Sequence, residues 1–115
     1  MKKNFESTIF ALSTNYAQSA IAVFRISGSE CKKIAKYLCN IKKLKDRYVY
    51  YSKILDQKSN LIDKCIIIFF KSPKSYTGED LLEIHTHGSI AIIKKLTNVL
   101  SNIPNTRPAL PGEFS

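Results

Sequence analysis

Glu83, His85 and His87 alternate along the run Leu81-Leu-Glu-Ile-His-Thr-His-Gly88, and side chains two residues apart on a strand share one face. Two imidazoles beside a carboxylate have the donor set of a transition-metal site. The same groups serve equally well as structural hydrogen-bond partners or as the polar wall of a small-molecule site. The spacing names no further metal ligand, so the three readings stay open. For a small molecule the carboxylate is the informative group, because it can accept two parallel N–H bonds from an amidine-like edge. A pterin presents such an edge, an exocyclic amine beside a ring N–H.

Arg25 stands inside the apolar run Ala20-Ile-Ala-Val-Phe-Arg-Ile26. An unpaired guanidinium is costly to bury, so it must reach solvent, an ion-pair partner or a ligand. As a fixed fork it would suit a carboxylate or a polar heterocycle. Ser75-Tyr-Thr-Gly-Glu-Asp80 gathers hydroxyls, a glycine and two carboxylates, the composition of a turn whose side chains cap local backbone groups. No Ser-His-Asp arrangement is enforced by position. Neither G-x-x-x-x-G-K-[ST] nor G-x-G-x-x-G occurs, which excludes the known phosphate-cradling loops.

The elements that must hold these residues follow from hydrophobic periodicity. Thr8–Ser13 and Ala20–Ile26 read as strands. Ser27-Gly-Ser-Glu30 has the form of a capping box. Behind it Cys31, Ile34, Ala35 and Leu38 recur at helical spacing. Tyr48–Leu55 reads as a strand and Asp56–Asn60 as a turn. Leu61–Phe70 reads as a strand whose apolar run predicts burial on both faces. A loop follows to Asp80, then a strand over Leu81–His87. A second helix carries Ile92, Ile93, Leu96, Val99 and Leu100. The tail from Ile103 holds three prolines and no continuous pattern.

The expected order is β-β-α-β-β-β-α, an α/β (α+β) fold with about five strands in a mixed sheet and two helices on one face. At 115 residues the chain suits one domain over 1–115. The Pro111-Gly-Glu-Phe-Ser115 end would lead naturally into a further element, so a truncated piece of a longer protein is expected.

Net charge is +9, from 18 Lys and Arg against 9 Asp and Glu. Such a balance favours phosphate polymers without reading their sequence, yet its simplest origin is a solvated lysine face. Arginine, the better marker of specific anion recognition, occurs only at Arg25, Arg47 and Arg107. Tyr48, Tyr50 and Tyr51 could stack bases, although such a strand commonly packs as core and edge. Three cysteines without a CxxC pair fit no closed disulfide set and suit a reducing compartment. The longest strictly apolar run, Cys65–Phe70, falls far short of the ~20 residues of a membrane helix. A soluble protein of the cytoplasm is expected.

Four segments together resemble one family. They are Arg25-Ile-Ser-Gly28, Ser75-Tyr-Thr-Gly-Glu-Asp80, Glu83-Ile-His-Thr-His-Gly88 and Arg107-Pro-Ala-Leu-Pro-Gly-Glu-Phe114, with Thr8-Ile-Phe-Ala11 at the front. In order and spacing they resemble the N-terminal domain of the tRNA-modification GTPase MnmE (TrmE) family, from about Thr8 to the last residue. The resemblance implies a dimerising domain similar to the folate-binding domain of aminomethyltransferases. It also implies a bound 5-formyl- or 5,10-methylene-tetrahydrofolate. In the full protein it implies a GTPase using GTP, K+ and Mg2+ at sites outside this chain. The flavoprotein MnmG and tRNA are the implied partners, with the wobble uridine of certain tRNAs as the base modified.

Residue by residue, Arg25 and Glu83 match the family's folate contacts. A third contact, a lysine in an Asn-Gly-Lys motif, would lie beyond Ser115. Tyr76, Thr77, Gly78, Glu79, Asp80 and His87 match segments that would shape the cleft or the dimer contact. No metal ligand and no catalytic residue are carried over onto this chain. Two departures stand out: Asn15-Tyr-Ala-Gln-Ser19 replaces a Pro- and Gly-rich loop, and Ser89 replaces a second glycine, where it can cap the next helix. The competing expectations are an aminomethyltransferase-like folate domain and a basic RNA-binding module.

Overall fold

A computed structural model of the chain describes residues 7–13 and 20–114. The 15–19 loop therefore lies outside the described residues. Six strands form one sheet: β1 (Thr8–Leu12), β2 (Ile21–Ser27), β3 (Val49–Leu55), β4 (Leu61–Phe70), β5 (Leu81–His87) and β6 (Thr106–Pro108). Their order across the sheet is β3-β4-β5-β2-β1-β6. All neighbours are antiparallel except β1 and β6, which are parallel. The sheet is therefore mixed, as expected, with one strand more than the periodicity gave.

Helices α1 (Cys31–Cys39) and α2 (Ile90–Ser101) pack on one face. Ile34 and Leu38 of α1 and Ile93, Leu96 and Leu100 of α2 meet Ala22, Phe24 and Ile26 of β2 and Leu82 and Ile84 of β5 in one core. Burying a side chain of this size stabilises by about 1.5–3 kcal/mol, which is why these strands run down the middle of the sheet. Tyr50 joins the core edge, and its hydroxyl accepts from the Lys45 N–H and donates to the Lys43 carbonyl. At least one tyrosine of that strand is thus spent on packing.

Three expectations are corrected. The 27–30 segment forms no capping box. Ser27 stays in β2, paired with Ile9 and Leu81, and Gly28 at φ 138° then turns the chain. The helix starts after Glu30, whose N–H donates instead to the Thr8 hydroxyl at 2.9 Å. The second correction concerns β4, which is buried on its helix side through Cys65, Ile67 and Phe69, while Ile66 on the opposite side is exposed. Farther along that second face Ile68 and Phe70 are half-buried, so its cover is only partial. Third, the proline-rich tail contributes β6. Pro108 is tolerated there because β6 is an edge strand.

Ser89 does cap α2, accepting from the Ile92 N–H at 3.4 Å. Among the described residues, no helix is long and apolar enough to cross a membrane.

Candidate functional site

The face away from the helices carries the polar chemistry. Antiparallel pairing sets Arg25 of β2 directly opposite Glu83 of β5, and the Arg25 Nε–H donates to Glu83 Oε2 at 3.1 Å. His85 Nε2 lies 3.0 Å from the other oxygen, Oε1. Glu83 is therefore gripped from both sides, with its side chain only 15% exposed. A carboxylate offers about four lone-pair positions, so acceptor capacity remains for a ligand. The Arg25 guanidinium also stands 5.7 Å from the Tyr76 ring centre, a cation–π distance. Among the described residues its terminal nitrogens make no hydrogen bond, which leaves them as donors for a ligand.

Beside this pair lies a cavity of about 350 Å³ lined by Arg47, Phe70, Lys74, Ser75, Tyr76, Leu81 and Glu83. A larger cavity, about 500 Å³, opens on the helix side among Ile34, Tyr37, Val99 and Ile103. Its charged groups, Glu30 and Lys33, pair with each other at 3.7 Å. A ligand site joins an apolar lining to convergent polar groups, and the smaller cavity, with Glu83, Arg47 and Lys74 on its wall, is the candidate.

The loop from Lys71 to Asp80 walls this cavity and is fastened at several points. Ser27 Oγ donates to Glu79 Oε1 at 2.9 Å and lies 2.7 Å from Thr77 Oγ1. Asp80 Oδ1 accepts from the Ser72 N–H at 3.0 Å, and the Asp80 carbonyl accepts from the Gly28 N–H at 3.0 Å. Gly78 takes φ 81°, which a residue without Cβ adopts freely. Glu79 and Asp80 are thus consumed in shaping the loop, while Tyr76 projects from it, 69% exposed.

His87 is separate from the Glu83 cluster. Its N–H donates to Asp63 Oδ2 at 2.8 Å, and its Nδ1 lies 3.0 Å from the same carboxylate. Burial pushes the Asp63 carboxyl up, but these bonds and that from the Lys64 N–H outweigh it and hold the group below its ordinary value. The three strand residues thus share a face as expected, yet the two imidazoles serve different carboxylates.

Sequence reasoning missed two residues here. Asp63 lay hidden in an apolar strand. Arg47 was one arginine of three with no motif around it. In the structure it sits at φ 58°, its N–H bonded to the Phe69 carbonyl at 2.7 Å. Its guanidinium chelates Asp46 at 2.9 and 3.0 Å, donates to the Lys74 carbonyl and stands 5.4 Å from the Phe70 ring centre.

Residues 8–115 match the family described as GTP-binding protein TrmE N-terminus. The chain belongs to that family. Among similar curated proteins, the tRNA modification GTPase MnmE of Rickettsia bellii (strain OSU 85-389) is 48% identical over 109 residues, which is 94% of this chain and 24% of the relative. The protein of the same name from Neorickettsia sennetsu is 44% identical over 110 residues, 95% of this chain and 20% of its own length. That from Rickettsia typhi is 46% identical over 109 residues, again 94% and 24%. The chain thus spans about a quarter or less of the relatives it matches.

The segments that carry the TrmE likeness occupy connected places in the fold. Arg25 to Gly28 closes β2, and 75–80 docks on Ser27. Glu83 to Gly88 forms most of β5 and its exit. In the last segment, Arg107 holds Glu113 through two bonds of 2.7 Å, closing the Pro-Gly turn into a ring of polar contacts.

Proposed function

We propose that this chain is the folate-binding, dimerising N-terminal domain of a tRNA-modifying GTPase, with Arg25 and Glu83 as the ligand contacts. The single observation that carries the reading is Glu83. It is a carboxylate steadied by Arg25 and His85 beside a cavity, with lone pairs left over for an amidine-like edge. The terminal nitrogens of Arg25 suit a carbonyl on the same ring. Tyr76 and Phe70 offer apolar surface to a flat heterocycle. A reduced folate such as 5-formyl- or 5,10-methylene-tetrahydrofolate combines these features.

Dimerisation is supported by the uncovered sheet face, where Ile21, Val49, Tyr51 and Ile66 are 56, 58, 71 and 39% exposed. Contiguous apolar surface of this kind marks an interface. In the whole protein the domain would deliver the one-carbon donor for modification of the wobble uridine in the cytoplasm, with MnmG as partner and with GTP, K+ and Mg2+ bound elsewhere. Calorimetric titration of 5-formyltetrahydrofolate into the chain, beside light scattering, tests both parts. Saturable heat and a dimer mass are expected. No heat at millimolar ligand refutes the folate assignment, and a strictly monomeric chain refutes the dimer.

A further inference from the structure

The folate reading leaves one charge unbalanced. A folate ends in a glutamate, often extended by further γ-linked glutamates, and that tail needs cations. Arg25 is the obvious supplier, but its Nε–H is committed to Glu83 and its guanidinium lies over Tyr76, which fixes it at the ring-binding end. The same cavity carries two other cations, Arg47 and Lys74, on the wall beyond Phe70 and Tyr76.

Arg47 is held in an unusual way for a surface arginine. A non-glycine residue at φ 58° occupies a sparsely populated region, and such outliers persist only where the surroundings over-determine them. Here they do. The backbone is tied to Phe69, the side chain to Asp46 and the Lys74 carbonyl, and the guanidinium carbon stands over the Phe70 ring. Asp46 is itself steadied by the Lys71 N–H at 2.8 Å. The cation is consequently parked at the cavity, and among the described residues its Nε–H makes no hydrogen bond. Among the described residues the Lys74 ammonium makes no ion pair either, its carbonyl alone being used. Lys71 adds a further positive charge in the same short segment.

We propose that Arg47 and Lys74 form a subsite for the carboxylates of the folate tail and give the chain a preference for oligoglutamyl folates. The inference rests on the folate reading and extends it to the ligand's other end. Arg47, its Nη atoms held by Asp46 and the Lys74 carbonyl, supplies one fixed Nε–H donor, and Lys74 supplies a mobile point charge, a combination that accepts successive carboxylates without demanding one geometry.

The test compares three probes by calorimetry at low salt: 5-formyltetrahydropteroate, which lacks the tail, 5-formyltetrahydrofolate, and its triglutamyl form. The wild-type chain is expected to bind the triglutamyl form about ten-fold more tightly than the tail-less probe, with the advantage shrinking as salt is raised. Lys74→Ala and Lys74→Glu remove most of that advantage while leaving the tail-less probe unchanged. Arg47→Lys keeps the charge but loses the fixed Nε–H donor, and is expected to keep part of the preference. Circular dichroism checks that each variant folds. Equal affinity of the wild type for all three probes overturns the subsite and leaves the folate reading intact. Equal weakening of all three probes in the Lys74 variants also overturns it, because the side chain would then act on loop structure alone. Failure of every probe to bind removes both.

Discussion

Arg25 and Glu83 are register partners across the central antiparallel ladder, 58 positions apart in the chain and 3.1 Å apart in space. The guanidinium fixes which way the carboxylate faces, and the carboxylate satisfies a charge that the apolar strand could not bury alone. The two residues behave as one unit, and that shapes what their removal does.

Arg25→Ala and Glu83→Ala are each expected to weaken 5-formyltetrahydrofolate by about ten-fold or more, as for lost charge-assisted bonds. The double variant is expected to lose little beyond Glu83→Ala, because partners in one network are not additive. The Arg25 side chain is 39% exposed, so coupling in folding stability should stay below about 1 kcal/mol. A double-mutant cycle by calorimetry and urea unfolding reads both terms. Strictly additive affinity losses would mean that the two groups act at separate points.

Gly28 is more tightly enclosed than Gly78 or Gly112. A Cβ there would meet Thr8 Oγ1 at 2.5 Å and Thr8 Cα at 2.7 Å, and φ is 138°. Thr8 cannot retreat, being buried in β1 and bonded to Glu30. Gly28→Ala should cost about 2–4 kcal/mol. Gly78→Ala meets nothing within 4 Å but keeps φ 81°, so only about 1 kcal/mol is expected. Urea midpoints would measure the contrast, and equal costs would contradict it.

The Arg107–Glu113 pair makes the tail pH-sensitive. Hydrogen bonds from Arg107, then that from the Leu110 N–H, pull the Glu113 carboxyl from 4.5 down to about 2. A depressed folded value means that the contact stabilises fully above about pH 4.5 and fades as pH falls toward about 2. Carbon-detected NMR titration of Glu113 should show the low midpoint, and Arg107→Ala should return it toward 4.5. An unchanged midpoint in that variant would discount the pair.

All three thiols are buried. Burial, then the nearby Asp80 carboxylate, pushes the Cys31 thiol well above its ordinary range. Cys39 is raised by its hydrogen bond with Cys65 and by burial. Because thiolate is the reacting form, an aromatic disulfide reagent at pH 8 should label none in the native chain and three in urea. Fast native labelling of any one would show that the core opens there.

Ile66→Glu places a charge at the middle of the uncovered face, where the wild-type side chain is 39% exposed. Little change in unfolding midpoint is expected, within about 0.5 kcal/mol. A shift from dimer to monomer in light scattering is the predicted consequence. Retention of the dimer would move the interface to another surface.

Much of this was written locally. Alternation along 81–87 put Glu83, His85 and His87 on one face, and helical spacing marked Ile34, Leu38, Leu96 and Leu100 as core. Four short segments in order were enough to indicate the family. Those signals survive without a fold because period and motif are properties of neighbouring residues. Tertiary structure alone decided the rest. Strand register brought Arg25 to Glu83, and a ladder with Ile9 and Leu81 kept Ser27 out of the helix cap its sequence advertises. The parallel edge of β1 turned Thr106–Pro108 into a strand, and a left-handed turn stabilised by Phe69, Asp46 and Lys74 delivered Arg47 to the cavity. Each of these outcomes depends on which distant group supplies a hydrogen-bond partner, and that supply exists only once the sheet has assembled.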